Sequence, residues 1–150
     1  MILVLGCGNP LRADDGIGPQ IALALAHRRD LPGLNASVCH QLTPELAEPL
    51  SRAHRALFID ASVQVAPGAL SIDLVEPTAY EAVLVHHLTP ARLLAAARDW
   101  YGAAPAAWLG TVGVYDLGLS DRLSPLLRQA LPALVEQVAA FIRAEMIDAS

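Results

Sequence analysis

Three groups of side chains in this sequence have the chemistry for proton transfer or metal binding, although they lie far apart along the chain. Two adjacent carboxylates, Asp14 and Asp15, follow a glycine-rich turn. A third carboxylate, Asp60, ends a short apolar run, and a histidine pair occupies positions 86 and 87. Two carboxylates and an imidazole suit a borderline divalent ion such as nickel, zinc or iron. Carboxylates also suit general acid–base chemistry on a water molecule.

One of the two adjacent carboxylates has a simple structural explanation. Aspartate is a favoured helix N-cap, and an apolar helix is predicted to begin directly after Asp14 and Asp15. Because one cap needs only one aspartate, the second carboxylate requires another role. It follows the carboxyl end of a first predicted strand, which is where open α/β sheets usually bind ligands.

The elements that must position these residues alternate between strands and helices. Apolar runs and turn signals predict strands at 2–5, 36–41, 55–60, 69–75 and 107–115. Helices are predicted at 15–29, 45–53, 91–100 and from 125 onward, and Pro132 is expected to kink or restart the last one near Leu131. This alternation predicts an α/β fold with three layers.

Connection lengths add a prediction about strand direction and about the site. Residues 62–68 are too few for a crossover helix, so the fourth strand should run antiparallel. In the common doubly wound order the first and third strands are neighbours. Asp15 follows the first strand and Asp60 ends the third, so we expect these two carboxylates to meet at one end of the sheet.

Composition narrows the class of protein. A length of 150 residues fits a single domain, 1–150, and 54% hydrophobic against 17% charged residues fits a sheet covered on both faces. The formal net charge is −5, and the ten basic residues are scattered arginines, which argues against a nucleic-acid partner. No apolar run reaches membrane-spanning length and no signal peptide is evident, so we expect a cytoplasmic protein without a membrane partner.

Three other chemistries fit the first loop less well. A dinucleotide site would need a third glycine where Leu11 stands and no acid at the helix start. A peptidyl-tRNA hydrolase has a similar turn, but it needs a His-Asn pair here and positive surface. A thiol hydrolase would use Cys7 with a histidine base, but no local signature supports it. Cys7 and Cys39 are also too few and too far apart for a zinc knuckle or a disulfide framework.

Several motifs together carry a family resemblance. They are Gly6-Cys7-Gly8-Asn9-Pro10-Leu11, Asp14-Asp15-Gly16-Ile17-Gly18, Asp60 at the end of the third strand, His86-His87-Leu88-Thr89-Pro90-Ala91-Arg92-Leu93-Leu94, and Leu123-Ser124-Pro125. With them the whole chain resembles the nickel-iron hydrogenase maturation endopeptidases. The resemblance implies an α/β/α sandwich with a five-stranded mixed sheet in the order 2-1-3-5-4 and an antiparallel fourth strand.

The resemblance also implies a function. Members of the family remove a C-terminal extension from the precursor of the hydrogenase large subunit after nickel has been inserted. Asp15, Asp60 and His86 would then be the catalytic and nickel-recognising residues, and many relatives have Glu in place of the first of them. The partner is the nickel-loaded precursor, and the nickel cofactor is borne by this substrate and is not permanently bound by the free protein.

The segment after the second strand differs from a Gly-Gly-Thr turn that relatives often carry. Its form looks more like the branch that serves soluble, NAD-linked bidirectional hydrogenases, which implies a role in selecting the partner. The substrate-binding residues expected from this resemblance are His40, Gln41, Thr43, Glu45 and His87. Two questions stay open at this point: whether nickel takes part in cleavage or only docks the substrate, and whether the protein cuts at all or is a nickel-sensing chaperone.

Overall fold

The computed structural model of the protein describes residues 1–78 and 88–148. Its centre is a five-stranded sheet in the order β2-β1-β3-β5-β4. β1, β2, β3 and β5 are parallel, and β4 runs antiparallel to β5. The α/β class, the strand order and the direction of the fourth strand are therefore confirmed. The strands are β1 (Ile2–Cys7), β2 (Leu34–Cys39), β3 (Arg55–Pro67), β4 (Leu70–Val75) and β5 (Ala106–Gly113).

Helices cover both faces of this sheet. Alternate residues of β1 point to opposite faces, as expected for a strand. Ile2 and Val4 pack with the helices α1 and α4, whereas Leu3 and Leu5 pack with α2 and α3. This arrangement produces the three predicted layers. The helices are α1 (Ile17–Ala26), α2 (Ala47–Arg52), α3 (Pro90–Tyr101) and α4 (Pro125–Phe141), with 3-10 turns at Ala13–Gly16 and Pro44–Leu46 and a π-helical turn at Ile142–Ile147.

The start of α1 lies unusually close to the sheet. A Cβ atom at Gly18 would be 2.5 Å from the carbonyl oxygen of Ile59 and 2.6 Å from that of Cys7. Only glycine permits this approach. The first turn of α1 is therefore held against the end of β1, the strand that precedes Asp15, and against β3 next to Asp60.

Some element boundaries differ from the predicted ones. α1 ends at Ala26, three residues before its predicted end, and beyond it the Arg28 guanidinium donates to Asp30 with N–O distances of 2.8 and 2.7 Å. β2 begins and ends two residues early because its register pairs Ile2 with Leu34 and Cys7 with Cys39.

Two larger differences concern β3 and α4. β3 continues to Pro67, and its outer half is largely exposed, so it lacks the apolar signal that marks a buried strand. α4 runs through Pro132 without restarting. Buried Leu127 before the proline and buried Leu134 and Val138 after it anchor the helix on both sides, which offsets the lost backbone hydrogen bond.

No helix within the described ranges is both long and apolar enough to cross a membrane.

Candidate active site

The loop after β1 folds back on the 3-10 turn that precedes α1. Gly8 has a φ of 152°, and a Cβ atom there would collide with the carbonyl oxygen of Asp15. Glycine is therefore required at this position. The next residue, Asn9, donates its backbone N–H to Oδ2 of Asp15 at 2.7 Å. The loop thus fixes the Asp15 carboxylate before any ligand is present.

Asp14 has a structural environment different from that of its neighbour. It is fully buried and accepts hydrogen bonds from the backbone N–H groups of Tyr115, Asp116 and Ser124 and from the Ser124 hydroxyl. Burial alone would raise the pKa of Asp14, but these hydrogen bonds together hold it below its usual value. Asp14 therefore joins the first loop to the segment before α4. The N-cap position of α1 is Gly16, without a side-chain cap, so the predicted capping role is not observed.

Asp60 lies within β3, opposite Thr111 of β5. Its Oδ1 accepts the backbone N–H of Ala61 at 2.8 Å. The pKa of Asp60 is raised to about 6, mainly by burial; the hydrogen bond from Ala61 opposes this rise, and the negative charge of Asp15 adds to it. This carboxylate is thus suited to exchange a proton near neutral pH.

Asp15 and Asp60 line one pocket of about 470 Å³ beside the carboxyl end of β1 and the middle of β3. Three further polar side chains, His40, Gln41 and Thr111, belong to its wall. The apolar part of the wall consists of Cys7, Gly8, Leu42, Phe58, Leu88, Pro90 and Leu109. The pocket therefore places two half-buried carboxylates beside an exposed imidazole and amide.

The other residues expected to bind substrate are distributed unevenly. Thr43 and Glu45 belong to the segment leading into α2 and are not among the residues that line the pocket. His86 and His87 lie outside the described residues. The chain resumes at Leu88, which lines the pocket, and Thr89 caps α3 by accepting the backbone N–H of Arg92 at 3.2 Å. The predicted helix start is confirmed.

Within 1–78 and 88–148, no three histidine, cysteine, aspartate or glutamate side chains are grouped so that they could hold a metal ion. Asp15 and Asp60 alone offer two carboxylates, which are suitable but insufficient donors. A metal bound here would need ligands from the remaining residues or from a bound partner.

A cysteine pair beside the pocket was missed by the sequence analysis. Cys7 and Cys39 are register partners at the ends of β1 and β2, and their sulfur atoms are 2.9 Å apart. Their hydrogen bond, ahead of burial, raises the pKa of Cys7 above its usual range, and the same bond lowers the pKa of Cys39. Both cysteines are free thiols, and the sequence analysis excluded only a zinc knuckle and a disulfide framework for them. Their contact was not predicted, because the predicted first strand ended at Leu5 and the predicted second strand ran past Cys39 to Gln41.

Comparison with known proteins finds matches among solved structures. No protein-family model matches the chain, and no curated protein sequence matches it. Among solved structures, the hydrogenase maturating endopeptidase HybD from E. coli is 28% identical, with a TM-score of 0.73 over 97% of this chain and 93% of that one. The hydrogenase 2 maturation peptidase from a Thaumarchaeota archaeon is 25% identical, with a TM-score of 0.70 over 96% and 99%. The [NiFe] hydrogenase maturation protease HycI from Thermococcus kodakarensis, 22% identical with a TM-score of 0.74 over 95% and 92%, shares the fold.

These similarities indicate that the chain is a hydrolase that cuts a peptide bond and is built on a mixed α/β sheet. Within that class, the resemblance found in the sequence is confirmed. The chain is similar over nearly its whole length to the hydrogenase maturation endopeptidases.

Proposed function

We propose that this protein is a cytoplasmic endopeptidase that removes the C-terminal extension of a nickel-iron hydrogenase large-subunit precursor after nickel insertion. Its similarity to the maturation endopeptidases of E. coli and of the Thaumarchaeota archaeon supports a protease of hydrogenase maturation. The single observation that carries the proposal is the pairing of Asp15 and Asp60 in one pocket. Two carboxylates in unlike environments are a common arrangement for acid–base work on water.

The two acids have different proposed roles. Asp60, with a pKa of about 6, is largely ionised at neutral pH and can still hold a proton transiently. A general base works best when its pKa lies near the operating pH, so Asp60 is the proposed base that activates water. Asp15 is held by the backbone of Asn9, and its role is to orient the metal or the scissile group.

We also propose that Asp15, Asp60 and His86 recognise the nickel that the precursor carries. His86 is assigned from the sequence, and Leu88, two residues later in the chain, lines the pocket that contains both acids. Three ligands without a thiolate make an open site, which the substrate's own ligands would complete. Elemental analysis after dialysis against a chelator should therefore find no metal retained by the free protein; one tightly held metal per chain would contradict this.

Selection of the precursor is assigned to the segment between β2 and α2. His40 and Gln41 are exposed and line the pocket, so they can contact a polypeptide that enters it. Thr43 and Glu45, which do not line the pocket, and His87 are proposed to contact the precursor as well. The form of this segment supports a hydrogenase of the NAD-linked bidirectional type as the partner.

The function is tested with a purified large-subunit precursor, either loaded with nickel or nickel-free, incubated with this protein. Mass spectrometry should show loss of a C-terminal peptide from the loaded precursor alone. Cleavage of both forms would show that nickel is not recognised. A stable complex with an intact precursor would instead identify a nickel-sensing chaperone and would contradict the proposed protease.

A further inference from the structure

We propose that Cys7 and Cys39 are a redox modification site, forming a reversible disulfide beside the acidic pocket. Both cysteines are free thiols, and they face each other across β1 and β2 with a sulfur–sulfur distance of 2.9 Å. Neither residue has a part in the proposed cleavage chemistry. The inference rests on the sheet register, the sulfur–sulfur distance and the exposure of the two thiols, and it does not depend on the proposed function.

The backbone geometry suits such a bond. Neighbouring strands lie about 4.8 Å apart, and disulfides join residues whose Cα atoms are about 4.4–6.8 Å apart. Cys7 packs in the same apolar cluster as Leu3 and Leu5, and Cys39 packs against that cluster. The two side chains therefore point to one face of the sheet, and bonding requires only a small side-chain movement.

The two thiols differ in access. Cys7 is only 7% exposed, whereas Cys39 is partly exposed at the edge of the sheet formed by β2. An external disulfide compound, such as oxidised glutathione, should therefore react first with Cys39. The buried partner is then placed to resolve the product.

The reaction is a thiol–disulfide exchange in two steps. The Cys39 thiolate attacks oxidised glutathione, forms a mixed disulfide and releases one glutathione thiolate, which takes up a proton. The Cys7 sulfur then loses its proton and attacks the Cys39 sulfur, which expels the second glutathione as a thiol. Two protein thiols are oxidised, and one glutathione disulfide is reduced to two thiols.

The bond would couple two walls of the pocket. Cys7 ends β1 and is followed by Gly8, and Cys39 ends β2 and is followed by His40. Cys7, Gly8 and His40 line the pocket. Oxidation would therefore fix the exposed segment at positions 40–42 relative to the loop that holds Asp15.

The test treats the folded wild-type protein with oxidised glutathione, followed by an acid quench, alkylation under denaturing conditions and mass spectrometry. We expect loss of both alkylatable thiols, a mass lower by two hydrogen atoms, a peptide linking the cysteines, and full recovery on adding dithiothreitol. Retention of both thiols, or accumulation of glutathione on the wild-type protein, would overturn the proposal.

Two single variants sharpen this test. Cys7→Ser should stop at the mixed disulfide on Cys39, since no resolving thiol remains. Cys39→Ser should leave the buried Cys7 unmodified. If Cys7 in that variant reacted as fast as Cys39 does, the proposed order of attack would be wrong. The wild-type result decides the proposal by itself should either variant fail to fold.

Discussion

Two hydrogen bonds join Asp14, in the turn before α1, to Ser124, directly before α4. The Ser124 backbone N–H donates to Oδ1 of Asp14 at 2.6 Å, and its hydroxyl donates to Oδ2 at 2.7 Å. The adjacent Asp15 faces the pocket instead. Of these two neighbouring carboxylates, Asp14 thus has a structural role and Asp15 belongs to the candidate active site.

Replacing the structural carboxylate should therefore cost stability. In Asp14→Asn an NH₂ group takes the place of one acceptor oxygen and leaves buried N–H donors unpaired, so the free energy of unfolding should fall by about 2–4 kcal/mol. Because the pKa of Asp14 is lowered by folding, its contribution is present above the unfolded-state pKa and is lost as the pH falls through the folded value. Urea denaturation followed by circular dichroism measures both effects.

Asp15→Asn is the matched control for that experiment. Its amide oxygen can still accept the backbone N–H of Asn9, so the change in unfolding free energy should stay within about 1 kcal/mol. Equal destabilisation by the two substitutions would contradict the separation of roles between Asp14 and Asp15.

The contribution of Asp60 to stability should depend on pH in the opposite direction to that of Asp14. Folding raises its pKa from 3.8 to about 6, so the native state binds the proton more tightly than the unfolded chain does. Its effect on stability is therefore most favourable below the unfolded pKa, weakens as the pH rises from about 4 to about 6, and is unfavourable at neutral pH. Allowing for solvent screening, Asp60→Asn should stabilise the protein by about 1–2 kcal/mol at neutral pH.

The pH dependence of unfolding checks this prediction. The difference between wild-type protein and Asp60→Asn should vanish as the pH is lowered to about 4. Asp73→Asn, at an exposed position on β4, serves as control and should show no such trend. A loss of stability in Asp60→Asn at every pH would instead indicate a structural role.

The sequence predicted the fold well because its signals were local. The alternation of strands and helices along the chain predicted the three layers. The short connection after β3 predicted the antiparallel direction of β4. Thr89-Pro90 marked the start of α3, and Thr89 is observed as its N-cap. Both acids also fall into one pocket, since the order of the strands dictates which strand ends meet.

The missed features depend on tertiary contacts. The burial of Asp14 requires partners about 110 positions away, which no local pattern reveals. The Cys7–Cys39 pair depends on the β1–β2 register, and a shift of two residues in predicted β2 hid it. Pro132 was expected to kink or restart the last helix, but α4 continues through it without a restart because buried residues pack on both sides of the proline.

Alanine substitutions of the three histidines proposed to act at the site should have different effects on ion binding and cleavage. His86→Ala should remove both divalent-ion binding, measured by calorimetric titration with nickel, and cleavage of the precursor. His87→Ala should weaken cleavage at most partly. His40→Ala should alter the KM for the precursor without changing ion binding, because this exposed residue is assigned to partner contact. If His87→Ala rather than His86→Ala abolished ion binding, the site would consist of Asp15, Asp60 and His87.

The most direct test of the central claim is the rate at which single variants cut a nickel-loaded precursor in a single turnover. Asp60→Asn keeps the size of the side chain and removes its charge and basicity, and Asp73→Asn makes the same change at an exposed position on β4. Release of the C-terminal peptide, followed by mass spectrometry, should be at least about 100-fold slower for Asp60→Asn and unchanged for Asp73→Asn. Cleavage by Asp60→Asn at the wild-type rate would contradict the assignment of this pocket as the active site.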